Sequence, residues 1–197
     1  MARVSWEAVR QALAGRSPEI LRGCTRRAAV AIVLRDGPSG IEALFIHRAD
    51  HPDDPWSGHM AFPGGRAEEG EAPLLTAIRE TAEEVGLDLG QAELLGALDE
   101  VQAVRRIPID LAIAPFVFRA PAGAAVSPNY EVRSVCWLGL DDLLGERFRS
   151  TYDYTEAGGA LRFPCFRVDD KVIWGLTYRM FSELALRVRE AMNGVAR

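Results

Sequence analysis

The chain has 197 residues, 48% of them apolar and 26% charged, with a formal net charge of −5 at pH 7, a composition that suits an ordinary globular protein with one full core. The acidic balance offers no cluster of Lys and Arg for counterion release, so neither nucleic acid nor an anionic membrane surface is expected as a partner. Cys24, Cys136 and Cys165 are odd in number, widely spaced and without a C-x-x-C pair, which argues against disulfides and a zinc site and for reduced thiols acting as small hydrophobes.

The first residues, MARVSWEAVRQALAGR, contain nothing near the ~20-residue apolar run that crosses a bilayer, and no secretory pattern. The expected location is therefore cytoplasmic. Val4, Trp6, Val9 and Leu13 are spaced for a short amphipathic helix ended by Gly15, part of a helical extension over 1–25 that packs on the body. Arg27–Leu34 and Ile41–His47 are apolar runs rich in β-branched residues, joined by Asp36-Gly37-Pro38-Ser39-Gly40. That pattern predicts two buried strands in a hairpin. Arg48 to Phe62 carries turn-forming Asp, Pro and Gly and reads as a loop. Within it His51 and His59 lack a third spaced ligand, and Trp56 reads as a loop anchor.

Gly64 to Leu87, GGRAEEGEAPLLTAIRETAEEVGL, is the most informative stretch. Pro73 suits a first helical turn, and Arg79, Glu80, Glu83 and Glu84 fall three and four apart on one helix face. Leu74, Leu75, Ile78, Ala82 and Val85 predict an apolar stripe on the opposite side. Three carboxylates with a single arginine repel one another, and hard divalent cations bind through such oxygens. Gly64-Gly65 lets bare backbone approach an anion or a metal, so loop and helix together read as a metal-and-phosphate cradle.

Beyond the helix, Glu93–Val104 and Ile107–Arg119 read as strands, with Pro108 and Pro115 marking edges or bulges. Residues 120–129 read as a surface loop, Arg133–Leu138 as a strand and Leu140–Leu144 as a short helix. Tyr152, Tyr154 and Glu156 precede a turn at Gly158-Gly159. Leu161–Val168 and Val172–Trp174 predict a hairpin about Asp169-Asp170, and Leu176–Asn193 a closing helix with Gly194 past its end.

The central stretch resembles the Nudix box, G-x5-E-x7-R-E-U-x-E-E-x-G-U with U aliphatic, at Gly65, Glu71, Arg79, Glu80, Glu83, Glu84, Gly86 and Leu87, with Thr81 standing at the first U. The resemblance implies a Nudix-like α/β/α sandwich with a mixed β-sheet between helices, as a single domain over 26–194. It implies that Glu80, Glu83, Glu84 and the Gly64 backbone hold Mg2+ or Mn2+, with Arg79 and Glu71 orienting helix and loop, and that Glu80, Glu84 and Arg79 serve catalysis. Leu44–Ala49 and Gly58–Gly65 further resemble the upstream signature of coenzyme A pyrophosphatases in that family, although Asp53 stands where the signature has a second Arg and one extra residue precedes Gly58. Ile173–Thr177 resembles their strand-to-helix junction.

The implied activity is metal-dependent hydrolysis of a diphosphate bond in a nucleotide derivative. The implied substrate is coenzyme A, giving 3′,5′-ADP and 4′-phosphopantetheine; ADP-ribose or another nucleoside diphosphate derivative is the alternative, and a non-catalytic nucleotide sensor a third reading. Arg48, Phe62, Gly65 and Arg66 are the implied substrate contacts, with Arg105 and Arg106 as further phosphate ligands. The general base stays open among Glu80, Glu84, Glu100 and Glu156. The partner is a small nucleotide, without nucleic acid or membrane, and the chain is compatible with a homodimer.

Overall fold

The computed structural model describes residues 3–51, 57–104, 108–145, 147–156 and 159–194. Helix α1 (Trp6–Leu13) leads into the hairpin β1 (Arg27–Gly37) and β2 (Gly40–Arg48). Two short strands follow, β3 (Met60–Ala61) and β4 (Gly64–Arg66), and then helix α2 (Pro73–Val85). Strands β5 (Glu93–Ala97), β6 (Val101–Val104), β7 (Pro108–Arg119) and β8 (Val132–Gly139) come next, with α3 (Leu140–Leu144) directly after β8. Strands β9 (Arg149–Glu156), β10 (Gly159–Val168) and β11 (Lys171–Trp174) precede the closing helix α4 (Gly175–Met192).

The main sheet runs β3-β2-β1-β7-β5, with β4 on β1, β6 on β7 and β8 on β2. The β1–β7 pair is parallel and the other pairs are antiparallel, so the sheet is mixed as expected. Its faces bury different layers, because alternate strand residues point to opposite sides. Ala29, Ala31, Val33, Leu44 and Ile46 meet Ala77 and Val85 of α2. Ile32, Leu34, Ala43 and Phe45 meet α1, α3 and α4 through Val9, Leu140, Phe181 and Leu184. Helices thus cover both faces of the sheet.

Three expectations need correction. Glu93–Val104 is two strands, β5 and β6, which pair with different halves of β7. Pro115 lies inside β7 rather than at an edge, facing the junction between those two strands, where its carbonyl accepts from the Leu98 N–H at 3.0 Å and its missing N–H interrupts no ladder. Residues 149–156 form strand β9, the first strand of a separate three-stranded sheet, β11-β10-β9.

Candidate active site

Helix α2 begins without a side-chain cap, with Pro73 in its first turn, and ends on Gly86 at φ 66°, a left-handed position that glycine takes without strain. Its orientation matches the expected apolar stripe only in part: Leu74, Ile78 and Val85 pack on the sheet, but the rest of the stripe does not. Leu75 is 57% exposed and Ala82 faces solvent, while Thr76, Ala77, Thr81, Glu84 and Val85 are buried. The acidic face and the buried face therefore overlap. Thr81 tolerates burial because its hydroxyl donates to the Ala77 carbonyl at 2.7 Å.

Among the described residues Glu84 is the most deeply placed carboxylate, with 3% of its side chain exposed. It accepts from the Gly64 N–H at 2.8 Å and stands 3.5 Å from Arg48 Nη1. Burial, joined by Glu80 and Glu131, pushes its carboxyl up to about 7 against the pull of the Gly64 N–H and Arg48. Burial raises Glu80 as well, opposed by Arg79 and reinforced by Glu83 and Glu131. Glu84, buried, and Glu80, half-buried, thus have less positive charge around them than their ionised forms require.

The glycines explain how the loop reaches them. Gly64 has φ 151°, and a Cβ there would fall 2.3 Å from the Ala29 carbonyl oxygen. At Gly65 a Cβ would lie 2.4 Å from the carboxylate carbon of Glu80. In the β1–β4 ladder the flanking positions bond to β1, Ala31 N–H to the Pro63 carbonyl at 2.9 Å and Ala67 N–H to the Arg27 carbonyl at 3.0 Å. Strand alternation therefore turns the N–H and C=O of Gly64 away from β1, on the side where Glu84 accepts the N–H.

Arg79 locks the loop to the helix. It grips both oxygens of Glu71 at 2.9 Å, donates to the Arg66 carbonyl at 3.1 Å, and reaches Glu80 at 2.9 Å and Glu83 at 3.2 Å. Glu71 also accepts from the Glu68 N–H and the Thr76 hydroxyl. Arg79, ahead of the Glu68 N–H, holds Glu71 down at about 2, and Glu71 in turn raises Arg79.

A divalent cation fits the donors at Glu80 and Glu84, which are hard oxygens raised by burial and facing backbone that β1 does not use. As the side chains stand, no three His, Cys, Asp or Glu among the described residues are gathered closely enough to hold an ion. Glu83 is the expected ligand turned aside, with its side chain 56% exposed and held by Arg79.

The remaining sequence candidates divide. Arg48 joins the cluster, and Arg66 lies exposed beside Gly65 on β4. Phe62, expected as a substrate contact, is 2% exposed and stacks on Phe45 at 4.9 Å, so its side chain anchors the loop in the core. Glu100 is spent elsewhere, accepting from Arg27 at 2.5 Å and the Leu21 N–H at 2.7 Å. Arg105, Arg106 and Trp56, and the side chain of Glu156, lie outside the described residues.

One residue escaped the sequence reading. Glu131 is close enough to raise both Glu80 and Glu84, and its segment is pinned at three points. The Asn129 N–H donates to the Glu84 carbonyl at 2.9 Å and the Ala49 N–H to the Glu131 carbonyl at 2.7 Å, while the Asn129 side chain accepts from the Glu131 N–H at 2.8 Å. Asn129, a turn former, is the only sequence signal for it.

Comparison with known proteins follows the same lines. A NUDIX domain family model matches residues 25–156. The chain is 30% identical over 167 residues to NudL, an uncharacterized Nudix hydrolase of Yersinia pestis, covering 83% of this chain and 80% of the relative. It is 42% identical over 108 residues to an uncharacterized protein of Schizosaccharomyces pombe, covering 51% of this chain but only 32% of that longer protein. Among solved structures, RenU, a Nudix hydrolase of M. smegmatis, superposes with a TM-score of 0.52 at 20% identity, covering 86% of this chain and 87% of the other.

Proposed function

This chain belongs to the Nudix family of pyrophosphohydrolases, and on that premise we propose that its substrate is coenzyme A, cleaved at the diphosphate into 3′,5′-ADP and 4′-phosphopantetheine. Water adds across the P–O–P bridge: its oxygen bonds one phosphorus, the bridging oxygen leaves with the other, and a proton is released. Both phosphoryl groups repel an incoming nucleophile, so the site must supply positive charge and hold the water in line.

Nudix hydrolases meet this need with divalent metal, and Mg2+ or Mn2+ would supply charge neutralisation and a more acidic water. Glu80, Glu84 and the Gly64 carbonyl are the groups that would hold it, with Glu83 joining if it leaves Arg79. Arg79, through Glu71 and the Arg66 carbonyl, fixes the loop against the helix. Arg48 and Arg66 flank the cradle and suit phosphate oxygens, because guanidinium meets them in a planar fork. The substrate reading is supported by the likeness of Leu44–Ala49, Gly58–Gly65 and Ile173–Thr177 to coenzyme A pyrophosphatases.

The observation that carries the reading is Glu84, a carboxylate 2% exposed and pushed up to about 7 beside glycine backbone. The test is turnover of coenzyme A and ADP-ribose with Mg2+ and with Mn2+, the products being separated by chromatography. A kcat/KM for coenzyme A about tenfold or more above that for ADP-ribose is expected, about 1.4 kcal/mol of discrimination. The reverse preference would overturn the substrate and keep the reaction, and turnover of neither would overturn both.

A further inference from the structure

At the end of β2 consecutive residues face different surroundings. Arg48 points to the α2 side and Glu84. His47 lines a cavity of about 180 Å³ on the α4 side, walled by His59 and Met60 from the segment that leads to Gly64, and by Tyr152, Lys171 and Trp174 from the three-stranded sheet. Phe163 pairs with Tyr152, and Cys165 with Trp174, so one face of that sheet carries the aromatic residues together. The Trp174 ring lies 5.1 Å from His59 and 4.9 Å from Tyr152. All three rings are only half-buried. The Lys171 ammonium, which has three donors, gives one to Asp170 at 2.8 Å.

Three features distinguish this cluster from a satellite core. Its rings keep exposed surface around a cavity, and the Lys171–Asp170 ion pair stands beside them. The strand that supplies Lys171 and Trp174 lies beyond residue 156, where the match to the NUDIX domain model ends. The cavity wall at Met60 is four residues from Gly64, a separation of at most ~14 Å in extended chain. Pockets for whole ligands run to about 300–1,000 Å³, so a space of about 180 Å³ suits one ring system, and bases stack on aromatic side chains.

We propose that this cavity is a subsite for the heteroaromatic base of the substrate, stacked against Trp174 and Tyr152, with Lys171 beside an anionic group of the same nucleotide. The proposal rests on the nucleotide-hydrolase reading and adds to it the moiety that is recognised.

The test is calorimetric titration of the metal-free protein with AMP, which has no anhydride to cleave, and with ribose 5-phosphate, which has no base. Tyr152→Ala and Lys171→Ala should each raise the Kd of AMP about tenfold. Tyr152→Ala should leave ribose 5-phosphate unaffected, and Trp174→Phe should stay near the wild type. With coenzyme A the same two alanine variants should raise KM and leave kcat unchanged. Should Trp174→Ala not fold, the half-exposed Tyr152 and Lys171 still decide the matter. A wild type that binds no AMP, or variants whose AMP affinity is unchanged, would overturn the subsite while coenzyme A turnover left the hydrolase standing. AMP binding that is lost in the variants of a protein that cleaves no diphosphate would overturn the hydrolase and leave the subsite.

Discussion

Glu84 and Glu100 are both nearly sealed from water, 2% and 7% exposed, yet their surroundings differ in kind. Glu100 takes a guanidinium at 2.5 Å and a backbone N–H at 2.7 Å, tying residues 19–27 to the turn before β6. Beside it, burial pushes Asp99 up, but the Glu19 N–H and Arg187 outweigh burial and hold Asp99 below its ordinary value. Arg187, 5% exposed, pairs with both Asp99 and Glu183. Glu84 has a backbone N–H and an arginine no nearer than 3.5 Å, with Glu80 and Glu131 pushing against it. Buried carboxylates alone do not mark a site. What separates Glu84 from Glu100 and Asp99 is how closely cations meet the negative charge; Glu183, which shares Arg187 with Asp99, is itself raised by burial.

The strongest way to break this contrast is to remove a cation from the matched region. Arg187→Ala strands two carboxylates and should cost about 3–5 kcal/mol of stability, read in denaturant melts, with kcat/KM unchanged at a temperature where the variant is folded. Next, Glu84→Gln should lower kcat by about a hundredfold, some 2.7 kcal/mol of barrier, without lowering the melting temperature at pH 8. An equal loss of stability in Glu84→Gln would erase the difference between the regions.

The same residue sharpens the comparison through pH. The Glu84 carboxyl is raised from 4.5 to about 7, so the folded state binds that proton more tightly than the unfolded chain. Its contribution to metal-free stability is present below pH 4.5 and is lost as pH rises to about 7, by at most about 3 kcal/mol. Glu84→Gln should flatten that slope, and added metal should do the same; a wild-type melting temperature that rises across this window without metal would contradict the assignment. The smallest effect is expected at Gly65→Ala, whose Cβ would meet the Glu80 carboxylate at 2.4 Å. A flexible carboxylate can move aside, so activity should fall about tenfold with little change in melting temperature.

Local signals carried much of this molecule. The hairpin at residues 27–48, the end of α1 before Gly15, α3 over Leu140–Leu144 and the closing helix ahead of Gly194 all follow from periodicity and turn residues. The spacing of Arg79, Glu80, Glu83 and Glu84 placed them together on α2. The face that α2 buries was only partly legible, through Leu74, Ile78 and Val85, because hydrophobic periodicity assumes that apolar side chains turn inward. Here Leu75 is left outside while Glu84 goes in, stabilised by the Gly64 N–H contributed from another strand. Glu131 was missed for a related reason: it reaches the cluster through a loop pinned by backbone bonds to Glu84 and Ala49, contacts that leave no periodic trace. Strand β9 was missed because its sequence, RSTYDYTE, is mostly polar and its pairing partner lies beyond the turn.

The β2–β8 register shifts between His47 and Arg48, at the point where the chain hands one side chain to the aromatic cavity and the next to the helix carboxylates. Removing a single residue within β2 ahead of His47 would flip both side chains to the opposite face, bringing the guanidinium to the side of the rings and taking it away from Glu84. Composition would barely change, yet the proposed base subsite and the proposed phosphate contact would be miswired at once. On that reading the residue count of this strand is fixed by two surroundings at once, one on each face of the sheet.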